Sequence, residues 1–333
     1  MDVRDGFRAF LGAVLILGLA GCGASGEDAA SGETKTLTFA ITDPFYELPA
    51  YVAKDQGYLK DGGLDVEFLT FKDPSALTTA VAKGDIDLGL HFPLPALYNS
   101  QNDGDFRFLA MSSRASYPMI AKAGVDVPVA TGDDWQPTMQ ALKGRKVGVT
   151  AIGGLVDLLF QATATEAGVT PEQTERIAAG GGAAAVTAFQ QGLVDVILVS
   201  DAAAAKILAT VPDSKQVMSV GEQGLDYMSG VVAGAVFASD SHMQKDPEAY
   251  ASFIDAWTKG VAFINDPNNA DKVIRTLQST SGLDESTAKA LYEAGLGFDI
   301  EFSEDKVQHS LDAYHKLGII PDPPSAAEMT YKP

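Results

Sequence analysis

Cysteine and histidine, the side chains most often used for metal binding and nucleophilic catalysis, are scarce in this chain of 333 residues. Cys22 is the only cysteine, so no intrachain disulfide can form. The four histidines show no metal-ligand spacing with acids or with one another. The chain also lacks the Gly-x-Ser-x-Gly motif of α/β-hydrolases. These absences argue against an enzyme, and we expect neither a metal nor a cofactor.

Basic residues are outnumbered, with 24 Lys and Arg against 44 Asp and Glu, which gives a formal net charge of −20. We therefore expect no nucleic-acid partner. Beyond the first segment of the chain, no apolar run is long enough to span a membrane. The roughly 300 residues after that segment exceed what one hydrophobic core usually serves, which predicts two lobes.

The amino terminus has the pattern of an export signal. Two arginines precede an apolar run, Phe10–Ala20, which is too short for a permanent membrane helix, so we predict a signal peptide over residues 1–21. The run ends in Leu19-Ala20-Gly21-Cys22, which matches the bacterial lipobox, where the cysteine carries the lipid. The alternative is an ordinary signal with a chance cysteine. Residues 22–35, rich in small and acidic residues, predict a flexible tether.

The stretch after the tether predicts a βαβ unit. Leu37–Ile41 is apolar and partly β-branched, as expected of a strand, and Asp43-Pro44 ends it. A helix is predicted over Pro49–Gln56 and is ended by Gly57, and a second strand is predicted over Leu64–Thr70. This alternation of helical and strand periods favours a parallel sheet covered by helices.

The same order of elements returns later in the chain. A helix is predicted over Pro74–Lys83, and Lys83–Leu90 leads from it through glycine and aspartate into a strand. Gln191–Val199 repeats that pattern. A strand predicted over Lys146–Thr150 lies at nearly the same offset from the first strand. We therefore expect an α/β protein with two similar lobes. Lobe 1 is predicted over residues 36–124 and 231–333, and lobe 2 over residues 125–230.

Three motifs resemble a known family. Leu48–Lys60, followed by Gly63-Leu64-Asp65-Val66-Glu67, resembles the opening signature of the nitrate/sulfonate/taurine/thiamine-precursor family of ABC-transporter solute-binding lipoproteins. Leu142–Val149 resembles the family's opening of lobe 2, and Gly192–Asp195 resembles a later strand start. The resemblance implies a two-lobed periplasmic-binding-protein type II fold. Each lobe would be a doubly wound, mostly parallel sheet flanked by helices, with a cleft between the lobes.

The same resemblance implies a function. The protein would be an extracytoplasmic monomer, lipid-anchored to the bacterial cell membrane, that captures a small organic ligand and delivers it to an ABC permease and its ATPase. One alternative is a secreted or thiamine-precursor-synthase-like enzyme on the same fold. The synthase of this superfamily consumes its own histidine and carries a cysteine-rich motif, for which this chain has no counterpart. A sensor domain is a third possibility, and it would need an attached signalling or DNA-binding module.

Candidate binding residues follow predicted strands, because ligands of open α/β sheets bind beyond the carboxyl ends of the strands. They are Asp43, Phe45, Tyr46, His91, Phe92, Arg114, Tyr117, Thr150, Gly153, Gly154, Ser200 and Asp201. Simpler roles stay open for them. The aromatic side chains could cover the sheet edge, the acids could cap turns or helices, and Arg114 could be a solvated surface charge.

The balance of charges on this predicted rim bears on the ligand. Gly154 opens a helix with backbone amides alone, without the serine that anion-binding members of the family carry, which argues against an oxyanion. The rim holds Asp43, Glu47 and Asp201 against Arg114. We therefore favour a neutral or cationic, aromatic nitrogenous compound within a family that spans sulfonate, taurine, nitrate and thiamine-pyrimidine ligands.

We predict that Cys22 carries a lipid anchor, because it is the only thiol and it follows Leu-Ala-Gly. Cys22→Ser should release the protein from cells or leave its precursor unprocessed. Ala24→Ser, two residues further on, should leave anchoring unchanged and serves as the control. Mass spectrometry that finds an unmodified Cys22 thiol in membrane-bound protein would contradict the prediction.

Overall fold

Two five-stranded sheets organise the computed structural model, which describes residues 34–298 and 301–332. The predicted signal peptide, Cys22 and nearly all of the predicted tether lie outside the described residues. In chain order the strands are β1 (Lys35–Ile41), β2 (Leu64–Thr70), β3 (Leu88–Leu90), β4 (Phe106–Arg114), β5 (Tyr117–Ala121), β6 (Lys146–Val149), β7 (Glu175–Ala178), β8 (Val196–Leu198), β9 (Lys215–Val220) and β10 (Val232–Ser239).

Helices flank both sheets. They are α1 (Leu48–Asp55), α2 (Tyr58–Asp61), α3 (Pro74–Lys83), α4 (Pro93–Asn102), α5 (Gln136–Gln140), α6 (Leu155–Glu166), α7 (Gly182–Gln190), α8 (Asp201–Thr210), α9 (Asp240–Met243), α10 (Pro247–Asn265), α11 (Ala270–Ser281), α12 (Glu285–Ala294), α13 (Glu304–Lys316) and α14 (Ala326–Met329).

The two sheets share one topology. The first has the strand order β2-β1-β3-β10-β4 and the second β7-β6-β8-β5-β9. In each sheet the first three strands pair in parallel, and the fourth in the order pairs antiparallel with both of its neighbours. Four strands of each sheet therefore run in one direction. This confirms the predicted α/β class with doubly wound, mostly parallel sheets.

Local sequence signals account for several element boundaries. β2 and α3 begin and end at the predicted residues, and α1 is followed by Gly57 in the left-handed conformation, at a φ of 83°. The side chains of Asp246, Asp284 and Ser303 accept hydrogen bonds from backbone amides in the first turns of α10, α12 and α13, as expected of helix-capping residues.

The chain passes between the sheets twice, and the two crossing segments are in contact. The first joins β4 to β5, and the second joins β9 to β10. The amide of Ala115 donates to the carbonyl of Val231 at 2.7 Å, and the hydroxyls of Ser116 and Ser219 are 2.9 Å apart. β5 belongs to the second sheet, so the chain changes sheet before Tyr117. The predicted boundary between the lobes, after residue 124, therefore lies too late in the chain.

The carboxyl-terminal helices were expected to pack on the first lobe, and α10 and α13 do. The Phe253 ring of α10 meets the edge of Phe39 in β1 at 5.5 Å. In α13, Tyr314 donates its hydroxyl to the carbonyl of Val232 at 2.8 Å. α12 packs instead against α8 of the second lobe. Lys206 of α8 lies 3.6 Å from the carboxylate of Asp284, which caps α12. The helix after β8 therefore also packs against this carboxyl-terminal layer.

Gly221 offers a test of the crossing region. It has a φ of 101°, and a Cβ there would lie 1.8 Å from the carbonyl oxygen of Ala115 in the other crossing segment. Gly221→Ala should therefore lower the free energy of unfolding by about 3 kcal/mol or more. Gly230→Ala is the matched control, because its φ is also positive but its Cβ would meet no atom. It should cost about 1 kcal/mol. Equal losses in urea denaturation would contradict the close approach.

Candidate functional site

A direct contact joins the carboxyl ends of strands from the two sheets. Asp43 follows β1, and its Oδ2 accepts a hydrogen bond from the Ser200 hydroxyl, which follows β8, at 3.2 Å. The other carboxylate oxygen of Asp43 accepts from the amide of Phe45 at 3.1 Å, as in a side-chain-capped turn. Asp43 therefore both shapes its own loop and contacts the second sheet's rim.

Two tyrosines and further acids surround this contact. Burial raises the pKa of Tyr46 well above its usual value, and the nearby Tyr117, Asp201, Asp43 and Glu47 add to that rise. Burial, together with Asp201, also raises the pKa of the Tyr117 hydroxyl. Both hydroxyls are therefore neutral near pH 7 and can donate hydrogen bonds. The structure thus brings predicted residues from both sheets into one polar cluster.

Asp201 opens α8 inside this cluster. Burial and the neighbouring carboxylates of Glu222 and Asp43 raise its pKa from 3.8 to about 6, although its own backbone amide opposes the shift. Burial chiefly raises the pKa of Asp43 as well, against the hydrogen bonds from Phe45 and Ser200. Ionising these acids side by side is unfavourable, so the cluster would gain from a bound cation or hydrogen-bond donor.

Glu47, placed on the rim in the sequence reasoning, is fully buried. Its Oε1 accepts a long hydrogen bond from the amide of Thr42 at 3.4 Å, and its Oε2 has no hydrogen-bond partner. Burial raises the pKa of Glu47 well above its usual value, and the nearby Asp43 adds to this. Burial therefore favours the uncharged, protonated form of this carboxyl group.

His91 follows β3, the neighbour of β1. Its backbone amide donates to the carbonyl of Ala235 at 3.0 Å, which fixes the chain against β10, and its ring atom Nδ1 is buried without a hydrogen-bond partner. Burial lowers the pKa of His91 to about 4, so the ring is neutral at physiological pH. The side chain can therefore offer one donor and one acceptor nitrogen.

Two predicted aromatic residues pack in the core. Phe92 is fully buried and stacks on Phe108 at a centroid distance of 4.5 Å and on Tyr314 at 5.7 Å. Phe45 is 2 % exposed and packs beside Phe298 at 5.6 Å. The structure does not place either ring on an accessible surface, because each fills the apolar space under the loop that follows its strand.

The amino end of α6, where Gly153 and Gly154 lie, is already in contact with a carboxylate of the protein itself. The amide of Gly153 donates to the Asp157 carboxylate at 2.7 Å, and the amide of Gly154 donates to the carbonyl of Ala151 at 3.1 Å. Asp157 is fully buried and accepts two 2.8 Å hydrogen bonds from Arg176. The side chain of this chain's own Asp157 thus occupies the position where an oxyanion would bind.

The two remaining predicted residues are exposed at the ends of their strands. Thr150 is exposed after β6, and its carbonyl accepts from the amide of Gly180 at 3.1 Å. Arg114 is exposed at the end of β4. The structure thus brings together Asp43, Tyr46, Tyr117, Ser200 and Asp201.

Sequence reasoning left two acids out of the candidate set. Glu222 acts on Asp201 through its charge, and it follows β9 just as other site residues follow their strands. That position was a usable signal, but β9 itself was not predicted. Glu47 was placed on the rim but left out of the candidate binding residues, because glutamate at the start of a helix is usually solvated.

The described ranges, 34–298 and 301–332, contain no group of His, Cys, Asp and Glu residues arranged to hold a metal ion. Within the same ranges, no helix has both the length and the apolar character needed to cross a membrane.

Comparison with known proteins identifies the family. A family model described as NMT1/THI5 like matches residues 45–270, which hold α1, the crossing segments and most strands of both sheets. This chain belongs to the NMT1/THI5-like family. The recognition made from the three sequence motifs is thereby confirmed.

Solved structures similar to this NMT1/THI5-like protein share its fold. The alkanesulfonate-binding protein SsuA of Xanthomonas axonopodis pv. citri, bound to MOPS, matches with a TM-score of 0.70 and 14% identity over 91% of this chain and 100% of that one. The periplasmic nitrate-binding protein NrtA of Synechocystis PCC 6803 matches with a TM-score of 0.69 and 15% identity, over 87% and 83%. The type II periplasmic-binding-protein fold is thus confirmed.

A curated relative carries an enzyme name. The 4-amino-5-hydroxymethyl-2-methylpyrimidine phosphate synthase of Candida albicans is 26% identical over 135 residues, which is 40% of this chain and 37% of that protein. The chain thus spans about a third of the length of the curated relatives it matches, 37% of this one and 31% of a Saccharomyces cerevisiae synthase. The solved structures thus share the fold of this chain, and this shorter match adds a sequence similarity to the synthases.

The raised pKa of Asp201 predicts a pH dependence of stability. Its folded-state pKa of about 6 exceeds the ordinary 3.8, so the folded protein binds more protons between these values, and the free energy of unfolding should fall as pH rises through that window. In Asp201→Asn, the decrease in the free energy of unfolding over this pH window should be smaller by about 1 to 3 kcal/mol. Urea denaturation at pH 4 and pH 7.5 measures it, with the exposed Asp65→Asn as control. Equal pH dependence in all three proteins would refute the assignment.

Proposed function

We propose that this protein is the extracytoplasmic solute-binding protein of an ABC importer, anchored to the cell membrane through Cys22. In this role it captures a small organic ligand between its two lobes and presents it to the permease, whose cytoplasmic ATPase drives transport. Support comes from the family match, from the fold shared with periplasmic binding proteins, and from the polar cluster formed by residues that follow strands of both sheets.

The contact between Asp43 and Ser200 is the observation that carries this proposal. It joins groups at the ends of β1 and β8, which belong to different sheets, across 3.2 Å. A small molecule that hydrogen-bonds to both rims favours the arrangement in which the rims are close, so binding shifts the population toward that state. The two crossing segments are where the backbone would absorb the motion.

The ligand class follows from the charges in the cluster. Asp43 and Asp201 favour a positive charge or a hydrogen-bond donor, and the Tyr46 and Tyr117 rings supply apolar area with neutral hydroxyls. The carboxylate of Asp157 already occupies the amino end of α6. We therefore propose a neutral or cationic, aromatic nitrogenous ligand in preference to an inorganic anion or a sulfonate.

A synthase is the second candidate, favoured by the enzyme name of the curated relatives. Such an enzyme would convert a pyrimidine precursor chemically, whereas a binding protein would release its ligand unchanged. Mass spectrometry of protein and small molecules after incubation separates the two candidates, because only the synthase would alter either one.

A thermal-shift screen of the purified protein against taurine, alkanesulfonates, nitrate and aminopyrimidines tests the proposal. A ligand at 100 times its dissociation constant adds about 2.7 kcal/mol to the free energy of unfolding, which is easily detected. We expect a shift with at least one nitrogenous compound. If none of these classes stabilises the protein, the proposed function fails.

Calorimetry with the compound found then tests the polar groups. Asp201→Ala should weaken binding of a cationic or hydrogen-bond-donating ligand by about 2 to 3 kcal/mol, because the ligand's donor loses its charged partner in a closed site. Asp65→Ala, on the exposed edge of β2, should leave affinity unchanged. An anionic ligand would instead bind more tightly to Asp201→Asn and more weakly to Arg114→Ala. Unchanged affinity in all variants would mean that these groups do not contact the ligand.

A further inference from the structure

Three buried side-chain atoms in residues 34–298 and 301–332 have no hydrogen-bond partner: Oε2 of Glu47, Nδ1 of His91 and Oγ of Ser281. Buried polar atoms are nearly always hydrogen-bonded, and leaving one unpaired costs about 1 to 3 kcal/mol. Glu47 and His91 both follow strands of the first sheet at the candidate site, whereas Ser281 ends α11. Two unpaired buried atoms thus lie at the same end of one sheet. A role in binding would explain why both are kept there although each lowers the stability of the fold.

The strand register places these two groups at neighbouring positions. β1 and β3 are paired in parallel, with Phe39 opposite Leu88 and Ala40 opposite Gly89. Continued past the strand ends, the same register sets Thr42 beside His91, and the Thr42 amide is the group that holds Oε1 of Glu47. Neighbouring strands lie about 4.8 Å apart, so one small molecule can reach both side chains.

We propose that Glu47 and His91 bind the ligand directly, through hydrogen bonds from their unpartnered atoms to the uncharged edge of a nitrogen heterocycle. This inference rests on the proposed function and deepens it, because it assigns two binding residues and a chemical class to the same site. Asp43, Ser200 and Asp201 then lie on the side of the site toward the second sheet.

The protonation states define what the two groups can recognise. The raised pKa of Glu47 favours the protonated carboxyl, and because Oε1 accepts from Thr42, Oε2 of that form can donate its proton to a ring nitrogen or a carbonyl oxygen. The lowered pKa of His91 leaves a neutral ring, which adds a second donor or acceptor. An amino group beside a ring nitrogen, as in an aminopyrimidine, presents this combination.

Isothermal titration calorimetry with four probes tests the inference. Cytosine and 4-amino-5-hydroxymethyl-2-methylpyrimidine are the uncharged heterocycles, and taurine and nitrate are the counter-probes. We expect the wild-type protein to bind at least one of the two pyrimidines and to prefer it to both counter-probes.

Variants of Glu47 distinguish three possible contributions of this side chain to affinity: its hydrogen bond, its charge and its effect on folding. Glu47→Met, of similar length but apolar, should weaken pyrimidine binding by about tenfold or more while the protein stays folded, because it removes an unpaired polar atom. Glu47→Gln should keep most of the affinity, because its amide can accept from Thr42 and donate at the Oε2 position. His91→Phe should also lose about tenfold. Ser281→Ala and the exposed Glu67→Gln should bind as wild type.

Each contrary outcome is informative. If Glu47→Gln loses as much affinity as Glu47→Met, the carboxylate charge is what the ligand needs, and the inference of a neutral contact is overturned. If neither variant changes affinity, Glu47 does not touch the ligand. If only taurine or nitrate binds, this inference fails while the proposed solute-binding function stands. If none of the four probes binds, this inference is rejected, and the proposed function is rejected with it if the alkanesulfonates of the thermal-shift screen also give no shift.

Discussion

The exchange of one strand between the two sheets is the constraint on which the rest of the structure depends. β5 enters the second sheet directly after β4 of the first, and β10 returns to the first sheet after β9 of the second. Each inserted strand runs antiparallel to both neighbours. Both crossings occur at the same place, where the amide of Ala115 donates to the carbonyl of Val231, so two adjoining segments connect the backbone of one sheet to that of the other.

Much of this fold was predictable from local signals. β2 and α3 matched residue for residue, because β-branched alternation, a capping aspartate before proline and a left-handed glycine all act within a few residues. The sheet that β5 joins was not predictable in the same way. Its sequence, Tyr117–Ala121, is apolar throughout, and its place depends on pairing with β8 and β9, which lie far away in sequence.

Which residues form the polar cluster was predictable from their places in the sequence, whereas the directions of their side chains were not. Ligands of open α/β sheets bind beyond the carboxyl ends of the strands, and this rule selected Asp43, Tyr46, Ser200 and Asp201 from the sequence. The structure brings these four residues together. The same rule could not say which way a side chain turns. Phe92 follows a strand as its neighbour His91 does, yet it stacks on Phe108, because a large ring gains more from burial in the core than from exposure at a rim.

The acids of the site also act on one another. Asp43 raises the pKa of both Glu47 and Asp201, so the three carboxyl groups cannot all carry a charge at little cost. The three acids therefore favour carrying less negative charge than their formal charge implies, and at the buried end of the site burial favours the neutral form of Glu47. A ligand that is uncharged at one edge and donates hydrogen bonds or carries positive charge at the other matches this difference in charge between the two ends of the site. Neither an inorganic anion nor a compact dication offers that asymmetry, which is why we favour a planar nitrogenous compound.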